Sequence, residues 1–323
     1  MYRAARPASD SELLRTNPRL AFADGTFTYL VEDRLSGSTL SVAGATAAKD
    51  SGKDASSENI AWEFGEGEVG QTWLLEKDRI YTEGRVSYYT ALHALDITTG
   101  HSQDVPSTQE LALGNRLDTT MARACFGCHT TMSTIAAVFN PMEAMPGVTC
   151  QACHGPGAAH VREMSGETSE TGAMSKASGI FNPASLPPPA SVDFCGACHR
   201  IWVDVAMSMP SNLEAMEVRF QPYRLEESRC WGKSGDARIT CIACHDPHRP
   251  LARNAASYDR NCLGCHSAGA RNTRAKIPPA SCRSVSTSHC VTCHMQKVEV
   301  STAHATFTDH DIRIVQSGKA LSE

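Results

Sequence analysis

Twelve of the chain's fourteen cysteines fall into six copies of one five-residue pattern, Cys-x-x-Cys-His. The copies are Cys125/Cys128/His129, Cys150/Cys153/His154, Cys195/Cys198/His199, Cys241/Cys244/His245, Cys262/Cys265/His266 and Cys290/Cys293/His294. Two thiols three residues apart lie on one side of a helical turn, where they add to the two vinyl groups of one haem, and the histidine that follows is then set beneath the iron. A zinc knuckle or a redox dithiol also uses Cys-x-x-Cys, but neither accounts for a histidine directly after the second cysteine six times over. The pattern therefore predicts six covalently bound haem c groups, each with a motif histidine as its proximal iron ligand.

Each iron then needs a sixth ligand, and seven histidines lie outside the motifs. That supply is enough for bis-histidine ligation throughout, a low-spin arrangement with little reorganisation on electron transfer, which favours a carrier over a catalyst. The two axial ligands sit on opposite faces of a porphyrin. His160, six residues after His154, therefore cannot easily reach the same iron, and neither can His248 beside His245 or His289 beside Cys290. These three are expected to ligate neighbouring haems; surface histidines or propionate partners are the alternative. His101, in a loop after Gly100, is a further candidate, as are His304 and His310, which follow the last motif and are expected to fold back over its haem. His93 lies in the apolar stretch 91–97 and reads as a core or edge histidine. Methionine is an alternative sixth ligand, but Met295 is wrongly placed for its own iron, and Met121, Met142, Met207 and Met216 read as core packing.

Aromatic residues make up only 6% of the 323 residues, a thin supply for a packed core of this length, so haem contacts are expected to replace side-chain packing. The net charge of -5 offers no basic field for nucleic acid. Haems make the balance more acidic, by roughly one negative charge each in the ferric state. No apolar run approaches the eighteen or so residues that span a bilayer. The chain opens Met-Tyr-Arg-Ala-Ala-Arg, without the apolar stretch of a secretory signal. Haem attachment of this kind takes place on the outer side of an energy-transducing membrane, so a periplasmic or extracellular location is expected, with the export signal missing upstream of the given start. The two remaining cysteines, Cys230 and Cys282, are expected to form a disulfide, with free buried thiols as the alternative.

Residues 24–100 hold no cysteine and are rich in β-branched and aromatic residues broken by Gly, Ser and Asp clusters. Strands are predicted at 26–32, 39–43, 60–64, 71–76 and 79–88, with Lys77-Asp78 as the turn between the last two. The run 44–58 has no hydrophobic period and reads as a loop. A helix is predicted over 117–126 with Asp118 as its cap, leading into the first motif. Successive first cysteines are 25, 45, 46, 21 and 28 residues apart, which is no fixed repeat. The fold class predicted is α+β: a leading segment at 1–23, a small antiparallel β-domain at 24–114, and an α- and loop-rich multihaem cytochrome c domain at 115–323 organised around its haems.

The stretch Cys-Gln-Ala-Cys-His-Gly-Pro-Gly-Ala-Ala-His-Val at 150–161 resembles the multihaem cytochromes related to the tetrahaem electron acceptor of hydroxylamine oxidoreductase. So do the Asp-Pro-His ending at His248 and the tail Phe-Thr-Asp-His-Asp-Ile-Arg at 307–313. The resemblance implies that His160 is a distal ligand to another haem. Trp62, Phe64, Gly65, Gly67 and the run 85–89 look like the β-region preceding the haem domains of such proteins, and imply no function. Six motifs against four haems in the best-known member means that haem geometry does not carry over wholesale. The implied function is electron transfer between redox partner proteins, such as other cytochromes and quinol-oxidising or terminal complexes, with a membrane complex or a homo-oligomer open. The alternatives are a haem enzyme of nitrite or hydroxylamine chemistry with one open iron, and a subunit of a cytochrome filament. Nitrite reductases of this kind usually carry Cys-x-x-Cys-Lys at the active haem, and all six motifs here end in His.

Overall fold

A computed structural model of the chain describes residues 4–44, 55–65, 67–166, 179–208, 214–231, 239–266 and 289–314. It divides into two compact units, Met1–Phe181 with Ser301–Ala305, and Asn182–Val300 with Thr306–Glu323. Among the described residues no helix is long and apolar enough to cross a membrane.

The first unit is built on a nine-stranded antiparallel sheet. Its strands are β1 (Ala5–Pro7), β2 (Arg19–Asp24), β3 (Phe27–Arg34), β4 (Gly37–Gly44), β5 (Ala55–Phe64), β6 (Gly70–Lys77), β7 (Ile80–Tyr89), β8 (Ala94–Ile97) and β9 (Gly114–Arg116). The strands from β2 to β8 pair in sequence order. β1 completes the edge of β5 over Trp62–Phe64, and β9 completes that of β7 over Thr82–Gly84. The sheet thus begins upstream of the pattern read from the sequence, and the run 44–58 starts and ends in strand, with 45–54 outside the described residues. The tight turn between β6 and β7 is Asp78-Arg79, one residue later than expected: Lys77 pairs with Ile80, and both turn residues have positive φ. A two-residue hairpin whose twist matches its strands requires this, and aspartate tolerates it.

Alternation in β3 and β4 buries Phe27, Tyr29, Val31, Leu40 and Val42 on one face. There they pack with Trp73, Leu75, Val86 and Leu14, the last delivered by a short helix, Glu12–Thr16, that Ser11 caps through Leu14 N at 3.1 Å. Leu74, between Trp73 and Leu75, is equally buried and packs on the opposite face with Trp62, Phe64 and Tyr81. Three successive buried residues mean that the sheet is covered on both sides here. The second cover is the helix Thr119–His129, two residues shorter at its start than predicted, with Asp118 as N-cap accepting from Met121 N at 2.8 Å. Arg85 of β7, buried, donates to Asp24 at the end of β2 at 2.9 Å and to the Ser102 and Asp104 carbonyls, so the sheet curls until strands far apart in its order meet.

The second unit consists of short helices, chiefly Pro188–His199, Trp202–Ser208, Gln221–Glu227, Cys241–Cys244, Asp259–His266 and Cys290–His294. Its described apolar core is small: Val192, Leu225 and Trp231, with Ile239, Cys241 and Ile312 against them. Met121, Met142 and Met207, read as core residues from the sequence, are exposed, and Met216 is half-buried. His93 is not a core residue either; it sits exposed at positive φ in the turn between β7 and β8.

Gly114 faces Gly84 across the β7–β9 pair at φ 150°, and a Cβ there would lie 2.0 Å from the Glu83 carbonyl oxygen. Gly37 also has positive φ but open space around it. Gly114→Ala is expected to destabilise the first unit by about 2–4 kcal/mol and Gly37→Ala by distinctly less, as read by denaturant unfolding of the two variants side by side.

Candidate functional site

All six Cys-x-x-Cys-His segments lie on helices. The histidine is the last helical residue in five of them, and in the fourth His245 is the C-cap. None of the twelve motif cysteines is fully buried. The first two motifs belong to the first unit and the other four to the second.

The two thiols of a motif are not equivalent, although the bare spacing treats them alike. Cys198, Cys244 and Cys293 are exposed while their partners Cys195, Cys241 and Cys290 are half-buried. The second motif reverses this, with Cys150 exposed and Cys153 half-buried, and in the first and fifth Cys125, Cys128, Cys262 and Cys265 are all half-buried.

The sheet sets the first motif. Phe126, between its two cysteines and wholly buried, is ringed by Trp62 at 5.1 Å, Phe64 and Tyr81 at 5.4 Å and Phe139 at 5.6 Å between ring centres. Phe64 also meets the His129 ring edge to face at 5.2 Å. Trp62 and Phe64, which carried no function in the sequence, are thus the support of the first proximal histidine. The second motif is tied to the first through Thr131. Its hydroxyl donates to Gly147 O and accepts from Thr149 N, both at 2.9 Å, just ahead of the helix Cys150–His154.

In the second unit the motifs touch one another. The Cys195 and Cys241 thiols are hydrogen-bonded across the third and fourth motifs, which draws Cys195 down to about 7 and pushes Cys241 up. Cys262 and Cys290 are hydrogen-bonded across the fifth and sixth; burial is the main reason that the Cys262 thiol is pushed up to about 12. Asp259 accepts from the backbone N–H of His289 at 2.7 Å and of Cys290 at 2.8 Å, fixing the start of the sixth motif, and these bonds hold its carboxyl below the usual range. Cys230 is half-buried; Cys282, its expected disulfide partner, lies outside the described residues. Burial pushes the Cys230 thiol up, and its neighbours Cys265 and Asp311 add to the effect.

The histidines separate by the partner of each ring nitrogen. His129 Nδ1 lies 3.0 Å from Ala4 O, His154 Nδ1 2.7 Å from Phe181 O, and His294 Nδ1 2.9 Å from Arg313 O. A backbone carbonyl only accepts, so Nδ1 carries the proton in each case and Nε2 bears the lone pair, the orientation that metal-ligating imidazoles take. His310 shares this arrangement, with Nδ1 2.9 Å from Thr308 O. Its ring centre is 6.3 Å from that of His245. Burial lowers the pKa of His129 and His245, and that of His310 to about 4, so all three rings are neutral near pH 7.

His101 and His304 are held the other way round. His101 Nε2 lies 3.0 Å from a Glu83 carboxylate oxygen and 3.3 Å from Asn115 Nδ2, and His304 Nε2 lies 2.8 Å from Asp96. In this arrangement both expected ligands have Nε2 in hydrogen bonds within the first unit. The last two histidines also do not both return over the final motif: His310 approaches His245 instead, and the contact with His294 comes from the Arg313 carbonyl. His160 is half-buried on the helix Ala158–Met164, His248 is exposed beside Asp246, and His289 is exposed at positive φ as the N-cap of the sixth motif. The orienting carbonyls of Ala4, Phe181 and Arg313 left no trace in the sequence, because any residue supplies one.

Around these helices apolar side chains face outward: Met132, Ile135 and Val138 in the first unit, Trp202, Val203 and Ile242 in the second. In the second unit, whose described core is small, such outward side chains fit contact with an apolar cofactor. Among the described residues no three His, Cys, Asp or Glu side chains converge as a metal-ligand cluster. Paired cysteines followed by an imidazole whose Nδ1 donates to a carbonyl, as at His129, His154 and His294, have the make-up that haem c attachment requires. Residues 83–155 match the family model described as cytochrome c554 and c-prime, a stretch running from β7 through the first two motifs. The match relates the chain to the c-type cytochromes, which carry haem c iron and transfer electrons. Comparison with curated proteins and with solved structures found no match.

Phe126→Ala removes the ring on which the first motif is seated. It is expected to cost about 3–5 kcal/mol in thermal or denaturant unfolding and to yield a fraction of protein that lacks one haem by intact mass.

Proposed function

We propose that this chain is a multihaem c-type cytochrome that binds six haems and passes electrons between redox partner proteins on the outer side of a membrane. The reading is carried by one observation: six helix-borne motifs, each with neither cysteine fully buried and its histidine at or just past the helix end. Haem c supplies one-electron chemistry when bound. The chain's own residues anchor it through the twelve thiols and orient the proximal imidazoles through Nδ1 bonds to Ala4, Phe181 and Arg313 carbonyls. Thiol contacts between the third and fourth motifs, and between the fifth and sixth, support cofactor edges close enough for electron hopping.

His245 and His310 are the proposed axial pair of the fourth motif. Two imidazoles bound by bonds of about 2 Å to opposite sides of one metal have ring centres about 6 Å apart, and these two are 6.3 Å apart. His160, His248, His289, His101 and His304 are the proposed distal ligands of the other haems. Other cytochromes and quinol-oxidising or terminal complexes are the proposed donors and acceptors, with assembly into a membrane complex or a homo-oligomer included.

A second reading, an enzyme with an open iron, is favoured by the carboxylates on His101 and His304.

Intact mass and a haem assay on the purified holoprotein are expected to give six haems per chain; four or fewer, or zinc in their stead, sinks the proposal. Cyanide and nitrite added to the ferric protein separate the two readings. The carrier is expected to leave the low-spin spectrum unchanged, and a saturable shift at one haem turns the assignment toward the enzyme.

A further inference from the structure

The tail 309–313 is held by a cluster of buried charges that neither the motifs nor electron transfer as such requires. Arg224, on the helix Gln221–Glu227 and buried, grips Asp309 with two parallel bonds, Nε to Oδ1 and Nη2 to Oδ2, each 2.9 Å. It also reaches Glu227 at 2.6 Å and Asp311 at 3.7 Å. Arg313 closes the cluster from the other side, 2.8 Å from Asp309 and 3.3 Å from the Asp311 carboxylate, and Asp311 N donates back to Asp309 at 3.0 Å. Burial works against the Arg224 charge, but Asp309, Glu227 and Asp311 together hold it protonated. His310 sits between the two clamped aspartates, and the Arg313 carbonyl at the end of the same segment receives the Nδ1 proton of His294. One short strap therefore presents an imidazole to the fourth motif and an orienting carbonyl to the sixth. Its position is set by a planar fork that only arginine supplies.

We infer that Arg224 is a positioning residue: through Asp309 it fixes the strap that places His310 against His245 and the Arg313 carbonyl on His294, so that one side chain governs the ligand geometry of two iron sites. The inference rests on the reading that His245 and His310 share one iron. A buried bidentate pair gives directional rigidity more than net stability, which suits a part whose task is to aim a ligand.

The test uses the holoprotein with Arg224→Met, Arg224→Lys and His310→Ala, each first shown to carry the full haem complement by intact mass. His310→Ala tests the underlying pairing alone: one further haem must become high-spin by ferric electron paramagnetic resonance, and if none does, that pairing is wrong whatever Arg224 does. Where it does, Arg224→Met is expected to give the same added high-spin signal and to move two midpoint potentials in a redox titration, leaving the others in place. Arg224→Lys, which keeps the charge without the fork, is expected to restore part of the low-spin signal. The double variant Arg224→Met/His310→Ala is expected to show no more high-spin haem than His310→Ala. A folded Arg224→Met protein with wild-type spin state and potentials overturns the inference. Should that variant fail to accumulate, Asp309→Asn serves in its place, with the same two-site signature expected and the same null result decisive.

Discussion

An imidazole binds iron through a nitrogen that has no proton, and which nitrogen that is depends on where the other one sends its own. In this chain the choice is made by the backbone. The carbonyls of Ala4, Phe181, Arg313 and Thr308 take the Nδ1 proton of His129, His154, His294 and His310 and leave the lone pair on Nε2. Where a carboxylate stands instead, as Glu83 does at His101 and Asp96 at His304, it is Nε2 that is held in the hydrogen bond. The same residue type thus serves two purposes, separated by whether its neighbour is a peptide group or an acid.

The two units answer the shortage of large apolar side chains differently. The first concentrates its aromatics in a sheet covered on both faces, with Trp73 and Tyr29 on one side and Trp62, Phe64 and Phe126 on the other. That sheet is a conventional core, and its second face is also the seat of the first motif. The second unit has little to pack beyond Val192, Leu225 and Trp231 and leaves Trp202, Val203 and Ile242 outward. Its folded state is coupled to the cofactors it is proposed to hold, as ligand binding to the native state alone contributes stability.

Local rules made much of this legible in the sequence. Alternation in 26–32 and 39–43 marked β3 and β4, Asp118 announced the helix that leads into the first motif, and the Cys-x-x-Cys-His spacing picked out the residues proposed to attach haem. What the spacing did not carry is the asymmetry within a pair, such as exposed Cys198 beside half-buried Cys195, because burial is decided by neighbours outside the motif. Short edge strands such as Ala5–Pro7 and Gly114–Arg116 were not visible, since three residues carry no period and their place is decided by a partner strand far along the chain. The turn at Asp78-Arg79 was misplaced by one residue because the requirement for two positive φ angles outweighs composition. The distal histidines were the least legible. Sequence gives their number, while the acid beside His101 or His304 and the ring opposite His310 are facts of tertiary structure. Arg224 gave no signal at all, being an ordinary arginine until Asp309 is brought to it.

The strap that ends the described chain also has a bearing on assembly. In the proposed pairing, His310 lies 65 residues beyond His245, so joining a macrocycle to the fourth pair of cysteines calls on local residues alone, whereas covering its second face calls on the far end of the strap.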